Sequence, residues 1–149
     1  MNLNFLSGIP RSGSTLLKCL LNQRPDTYAS NTSNLADMLV AFNYLWETNT
    51  SSVTAQADGL KREECIEVLK QYRYGKINCP VIFDKSRAWC NLGIIEIISQ
   101  LQEDIKIVAT VRPRNECLAS LVKIINPDNI VKFLTEENNQ TKQFFDSYN

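Results

Sequence analysis

The chain has 149 residues, 44% of them hydrophobic, and this length and apolar content predict one domain over residues 1–149. With 16 basic and 16 acidic side chains the formal net charge is zero, which argues against a nucleic-acid-binding or anionic membrane surface, and the absence of a long apolar run or basic leader predicts a cytoplasmic protein. There is no histidine, which excludes histidine-based hydrolases and histidine-ligated metals, and no cysteine pair has CxxC spacing, so we expect no metal site.

A strand, a loop and a helix open the chain. Apolar residues in 3–7 predict a short buried strand, the loop runs from Gly8 to Gly13, and a helical pattern of leucines begins at Ser14 and ends near Gln23. The backbone N–H groups of such a loop, together with the N-terminus of the helix, form a cradle for a phosphate-like anion.

The loop has the spacing of a Walker A motif, with one departure. Gly8 and Gly13 are followed by Thr15 at the expected position, but Ser14 stands where nucleoside triphosphatases carry a lysine. The cation of this loop is instead Arg11. Because the lysine normally reaches the β- and γ-phosphates, its absence disfavours ordinary triphosphate chemistry.

The rest of the chain alternates strands with helices. We predict a strand at 27–30, a helix at 33–46, a mobile surface loop at 47–58, a helix at 61–74, a strand at 81–84, a helix at 91–102, a strand at 106–111 and a helix at 114–125. Alternating strands and helices predict an α/β fold with a parallel sheet, and ligands of such sheets lie beyond the carboxyl ends of the strands.

Polar clusters follow three of the predicted strands. Arg11 comes after the strand at 3–7, residues 84–87 (Asp-Lys-Ser-Arg) stand at the end of the strand at 81–84, and residues 112–114 (Arg-Pro-Arg) come after the strand at 106–111. We expect the three clusters to meet at one edge of the sheet, as a nucleotide with two anionic groups requires.

Two of the clusters resemble motifs of sulfotransferases that use 3′-phosphoadenosine 5′-phosphosulfate (PAPS). Residues 8–15 (Gly-Ile-Pro-Arg-Ser-Gly-Ser-Thr) resemble the 5′-phosphosulfate loop, most closely that of the bacterial and tyrosylprotein branch. Arg112, with Ser120 on the following helix, resembles the pair that binds the 3′-phosphate, for which arginine offers a bidentate fork and serine a hydroxyl donor. The resemblance implies a three-layer, P-loop NTPase-like α/β sandwich with a central parallel sheet.

The resemblance also implies a reaction and a set of site residues. The reaction is sulfuryl transfer from PAPS, without a metal, to a hydroxyl or amine acceptor, leaving 3′-phosphoadenosine 5′-phosphate (PAP). Arg11 and Lys85 would be catalytic, by stabilising charge on the sulfuryl group and the departing phosphate. The residues expected to bind the cofactor are Pro10, Arg11, Ser12, Gly13, Ser14, Thr15, Arg112 and Ser120.

Two departures from the family pattern bear on activity. The tyrosylprotein branch carries a glutamate at the position matching Thr32, and a hydroxyl cannot act as a general base at neutral pH. The remaining candidate bases are Asp37, Glu47 and Asp84. The chain also ends soon after the 3′-phosphate helix, so we expect a partial domain that is weakly active or inactive by itself.

Two other interpretations stay open at this point. Residues 81–84 also match a Walker B strand, in which Asp84 would hold Mg²⁺ in a nucleotide kinase or NTPase. Alternatively, the chain is a non-catalytic remnant that binds a nucleotide or a partner. Trp89 belongs either to the core or to the wall of the pocket.

Overall fold

The computed structural model describes residues 2–99 and 104–125, which form a parallel sheet flanked by helices. The strands are β1 (Asn2–Gly8), β2 (Thr27–Thr32), β3 (Val81–Lys85) and β4 (Ile107–Thr110). The helices are α1 (Ser14–Leu21), α2 (Leu35–Thr48), α3 (Thr50–Ala57), α4 (Arg62–Tyr74), a short 3-10 helix (Arg87–Cys90), α5 (Leu92–Ser99) and α6 (Arg114–Ile125).

The described strands all run parallel, in the order β2-β3-β1-β4. The two inner strands are β3 and β1, and in β1 Leu6 pairs with Lys85 of β3 and Gly8 pairs with Thr110 of β4. The predicted three-layer α/β fold is therefore confirmed, and the strand predicted at 27–30 is present as β2, which extends to Thr32. Because the strands are parallel, the carboxyl ends of β1, β3 and β4 lie at the same edge of the sheet.

Apolar side chains of the central strands form the core with the covering helices. Leu3 and Phe5 of β1 are buried against Leu39 of α2 and against Trp89. The Trp89 ring lies 4.6 Å from the Phe5 ring and is completely buried, so of the two placements left open for this residue the core is the correct one. Burying each such side chain contributes about 1.5–3 kcal/mol to folding.

Residues 47–58 are not the predicted surface loop. Helix α2 continues to Thr48, and α3 follows almost at once. The side chain of Asn49 accepts a hydrogen bond from the backbone N–H of Ser51 at 2.9 Å and so caps α3, while Gly59 with φ 92° follows its end. The capping asparagine outweighs the polar, unpatterned composition on which the loop prediction rested.

Local contacts tie α1 to β2, and β4 ends earlier than the sequence predicts. Asn22, just after α1, donates to the carbonyl of Ala29 at 2.9 Å and accepts from its N–H at 2.7 Å, which ties the end of α1 to β2. Strand β4 stops at Thr110, earlier than predicted, and leaves Val111 exposed.

No helix within the described ranges combines the length and apolar character needed to cross a membrane.

Candidate functional site

An open pocket of about 200 Å³ lies at the carboxyl ends of β1 and β3. Its walls come from the loop after β1, the start of α1, the end of β2, the segment after β3 and α6. The lining residues are Leu6, Ser7, Gly8, Pro10, Arg11, Ser14, Thr15, Thr32, Lys85, Ser86, Arg87 and Leu121.

The loop is fixed at its start by close contact with the end of β4. Gly8 has φ 146°, and a Cβ at this position would lie 2.2 Å from Thr110 Oγ1 and 2.6 Å from Ser12 Oγ. The two hydroxyls are hydrogen-bonded to each other at 2.7 Å, and Thr110 Oγ1 also donates to the carbonyl of Ser7 at 3.3 Å. Only glycine fits at position 8 without moving these groups.

The far end of the loop leads into α1 through a second glycine. Gly13 is the N-cap of α1, with φ 103°, and nothing lies within 4 Å of the place where its Cβ would be. A glycine brings no capping side chain, so the N–H groups of the first turn, which begins at Ser14, remain available to an anion at the helix N-terminus.

Arg11 connects the loop with α6. Its backbone lies in the left-handed region, with φ 68°, and its Nε donates to Ser120 Oγ at 3.0 Å. Its carbonyl oxygen accepts a hydrogen bond from Arg112 Nη1 at 3.2 Å, while Arg112 Nε donates to Glu116 Oε2 at 3.0 Å. Three predicted site residues, Arg11, Arg112 and Ser120, therefore lie side by side.

Lys85, the last residue of β3, also lines the pocket. Its Nζ donates to Thr15 Oγ1 at 3.1 Å. Its backbone is held by β2 and by the residue after that strand, since its N–H donates to Ser30 Oγ at 2.9 Å and its carbonyl accepts from the N–H of Ser33 at 2.7 Å. Partial burial lowers the pKa of the Lys85 ammonium.

The positive charges of Arg87 and Lys18 lower the pKa of Lys85 further. The charges of these two neighbours thus disfavour the charged form of Lys85, and an anion bound at Lys85 would offset that repulsion. The electrostatics of the pocket therefore favour an anionic ligand.

Asp84, next to Lys85 in sequence, points into the core instead of the pocket. One of its carboxylate oxygens accepts from Trp89 Nε1 at 2.9 Å and the other from the Tyr74 hydroxyl. Burial raises the pKa of Asp84, and burial and the nearby Asp84 charge raise that of Tyr74. With both oxygens engaged inside the protein, Asp84 is poorly placed either to hold Mg²⁺ or to serve as a base at the pocket.

The other candidate bases do not reach the pocket either. Asp37 and Glu47 are exposed residues of α2, whereas the exposed Thr32 does line the cavity. Within residues 2–99 and 104–125, no carboxylate lines the pocket. The same ranges contain no group of three or more metal-ligating side chains placed to hold an ion.

Several contributors to the site were missed at the sequence level. Thr110 and Ser7 shape the loop, and Ser30 and Ser33 hold the backbone of Lys85. The signal for Thr110 was its position as a polar residue directly before Val111 and Arg112 at a strand end. Ser30 of β2 and Ser33, just after that strand, carried no comparable signal, because their role depends on the pairing of β2 with β3.

One comparison with known proteins identifies a family. A family model described as "Sulfotransferase family" matches residues 5–148, a range that includes the loop, Lys85 and α6. No curated protein matches the chain at a significant level.

Proposed function

The chain belongs to the sulfotransferase family, and from this premise we propose that it binds PAPS and transfers its sulfuryl group to a hydroxyl or amine acceptor. The observation that carries the proposal is the junction at Arg11. This residue lies in the anion-binding loop, and it contacts both Arg112 and Ser120 through hydrogen bonds of 3.2 and 3.0 Å. Two anion-binding clusters thus adjoin, as a nucleotide with two anionic ends requires.

In this proposal the loop holds the 5′-phosphosulfate. Pro10 has no N–H, and the N–H of Ser12 donates to the carbonyl of Ile9 at 3.2 Å. Arg11 and residues 13–15 would therefore contribute the backbone N–H groups, with the hydroxyls of Ser14 and Thr15 close by. Such amides suit the charge that develops on phosphate and sulfuryl oxygens, because they are oriented before the ligand arrives.

The second part of the proposal concerns the 3′-phosphate. Arg112, in the segment before α6, and Ser120, on α6, would donate to it. The half-exposed ion pair between Arg112 and Glu116 leaves guanidinium N–H groups that can turn to a phosphate. A bidentate arginine contact of this kind gives both affinity and discrimination against nucleotides without the phosphate.

The chemical step is an in-line displacement at sulfur. The acceptor oxygen or nitrogen forms a bond to sulfur, the bond between sulfur and the bridging oxygen breaks, and its electron pair stays on the 5′-phosphate of PAP. The acceptor proton leaves to solvent or to a base. Arg11 and Lys85 would stabilise the negative charge on the sulfuryl and phosphate oxygens, which is the main catalytic contribution in reactions of this type.

We expect turnover to be slow relative to binding. Thr32 stands in the pocket where a carboxylate would assist proton removal, and no described carboxylate lines the cavity. General bases typically contribute about 10²–10⁴-fold to rate. This feature also favours a second function, in which the chain binds the nucleotide without turning it over.

A titration combined with a transfer assay tests the proposal. We expect PAP to bind without magnesium, and Arg112→Ala to weaken PAP by about 1.5–3 kcal/mol while leaving adenosine 5′-phosphosulfate unchanged. Lys76→Ala, at an exposed lysine outside the pocket, is the matched control. Equal losses for both ligands would assign Arg112 to the fold, and magnesium-dependent ATP binding would favour a kinase.

Labelled PAPS, offered with a panel of hydroxyl and amine acceptors, distinguishes the two functions. Transfer of label to an acceptor supports the enzyme, and PAP binding without transfer supports the binding protein. Absence of both binding and transfer would contradict the proposal.

A further inference from the structure

The side chain of Arg11 is directed to the proposed 3′-phosphate site as well as to the loop. We propose that Arg11 is itself a ligand of the 3′-phosphate and thereby sets specificity for 3′-phosphorylated nucleotides. The inference rests on the proposed function, which gives Arg11 a role only at the sulfuryl end.

The positions of two residues on α6 bring the arginines together. Glu116 and Ser120 are four residues apart in the helix, so they lie one turn apart on the same face. Arg112 donates to Glu116 at 3.0 Å and Arg11 donates to Ser120 at 3.0 Å. The two guanidinium groups are therefore neighbours along one face of α6.

The charge on this face favours a dianion. Two guanidinium groups are accompanied by the one carboxylate of Glu116 in the hydrogen bonds described, so the face keeps an excess of positive charge. Both arginines are exposed, and each has five N–H donors, of which Arg11 uses Nε and Arg112 uses Nε and Nη1 in these contacts. A phosphate monoester supplies the two charges and the acceptor oxygens that this arrangement can engage.

Ser120 is suited to act between Arg11 and the phosphate. Its oxygen accepts the hydrogen bond from Arg11 Nε, and its own proton remains to be donated. A phosphate that accepts this proton would lie within reach of the remaining N–H groups of the Arg11 guanidinium.

The backbone of Arg11 supports the same geometry. A φ of 68° is uncommon for a residue other than glycine and persists where neighbouring contacts hold it. The hydrogen bond from Arg112 Nη1 to the Arg11 carbonyl is such a contact. It fixes the loop against the second arginine before a ligand arrives.

The 5′ end of the nucleotide would have a different cation. Lys85 Nζ is hydrogen-bonded to Thr15 at the start of α1, whereas Arg11 Nε is hydrogen-bonded to α6. Arg11 and Lys85 therefore contact different parts of the site, and their effects on the two anionic groups of the ligand can be measured separately.

The test compares PAP with AMP, which differs only in lacking the 3′-phosphate. Dissociation constants are measured by calorimetry for the wild type, Arg11→Gln, Arg11→Lys and Lys85→Ala, with thermal melting as a check of folding. We expect Arg11→Gln to weaken PAP about tenfold or more and AMP much less, so that the preference for PAP falls. Lys85→Ala should weaken both ligands by a similar factor and keep the preference.

Ser120→Ala completes a double-mutant cycle with Arg11→Gln, and we expect the two substitutions to be non-additive for PAP and additive for AMP. Equal weakening of PAP and AMP by Arg11→Gln would overturn the inference while leaving the proposed function intact. A wild type that shows no preference for PAP over AMP would overturn both. Arg11→Lys, which keeps the charge, should retain part of the preference.

Discussion

Replacing Gly8 by alanine is expected to damage both the stability of the fold and the binding of the nucleotide. The new Cβ would lie 2.2 Å from Thr110 Oγ1 and 2.9 Å from the Thr110 carbonyl oxygen, so β1 and β4 would have to separate. A backbone conformation that L-residues rarely adopt costs about 1–3 kcal/mol. Overpacking adds about 1–3 kcal/mol, so we expect a total loss of about 2–6 kcal/mol in the free energy of unfolding.

Gly59→Ala is the matched control, because Gly59 also has positive φ (92°) but nothing lies within 4 Å of its Cβ position. This variant should show the conformational cost alone, about 1–3 kcal/mol. Combining Gly8→Ala with Thr110→Ala removes the nearest clashing atom but not the carbonyl oxygen, so we expect partial rescue. Urea unfolding, followed by the fluorescence of Trp46 and the buried Trp89, measures each value. Equal losses in the Gly8 and Gly59 variants would refute the packing argument.

Three further predictions concern the pocket and its supports. Burial raises the pKa of Asp84 above its ordinary value of 3.8. Between the pKa of the unfolded state and that of the folded state, the folded protein therefore binds more protons, and its stability falls as pH rises through this range. Asp84→Asn should remove this fall, giving a flatter profile of unfolding free energy above about pH 4 than the wild type. Thr32→Glu should raise kcat by about 10²-fold over Thr32→Gln in the labelled-PAPS assay, because it supplies the missing base; no difference would argue against that role. PAP affinity should be the same in EDTA and in excess magnesium, and a loss in EDTA would reveal a metal requirement.

Much of the fold could be predicted from local sequence patterns. The apolar runs at 3–7 and 81–84 and the alternation of strands with helices are set by short-range periodicity, and the parallel sheet follows from them. The exact bounds of the helices and strands, and the short helix α3, were less predictable. Residues 47–58 contain a helix that Asn49 caps, but the polar composition of this segment led to the prediction of a loop.

The candidate site could also be predicted only in part. Arg11, Arg112 and Ser120 could be selected because motif spacing survives in the sequence, and the structure brings all three together. The direction of a side chain could not be predicted. Asp84 lies near the carboxyl end of a buried strand, where ligand-binding residues are expected, but its carboxylate faces Tyr74 and Trp89 in the core. Such orientations depend on which distant elements pack against the strand.

A crystal structure of the chain with PAP tests the central claim most directly. The account predicts one PAP molecule, bound without a metal, with its 5′-phosphate in the loop at residues 8–15 and its 3′-phosphate at Arg112 and Ser120. Lys85 should face the 5′-phosphate, at the point where the sulfuryl group of PAPS would be attached. A nucleotide bound with its 3′-phosphate away from Arg112, or a crystal soaked in PAP whose pocket holds no nucleotide, would contradict the account.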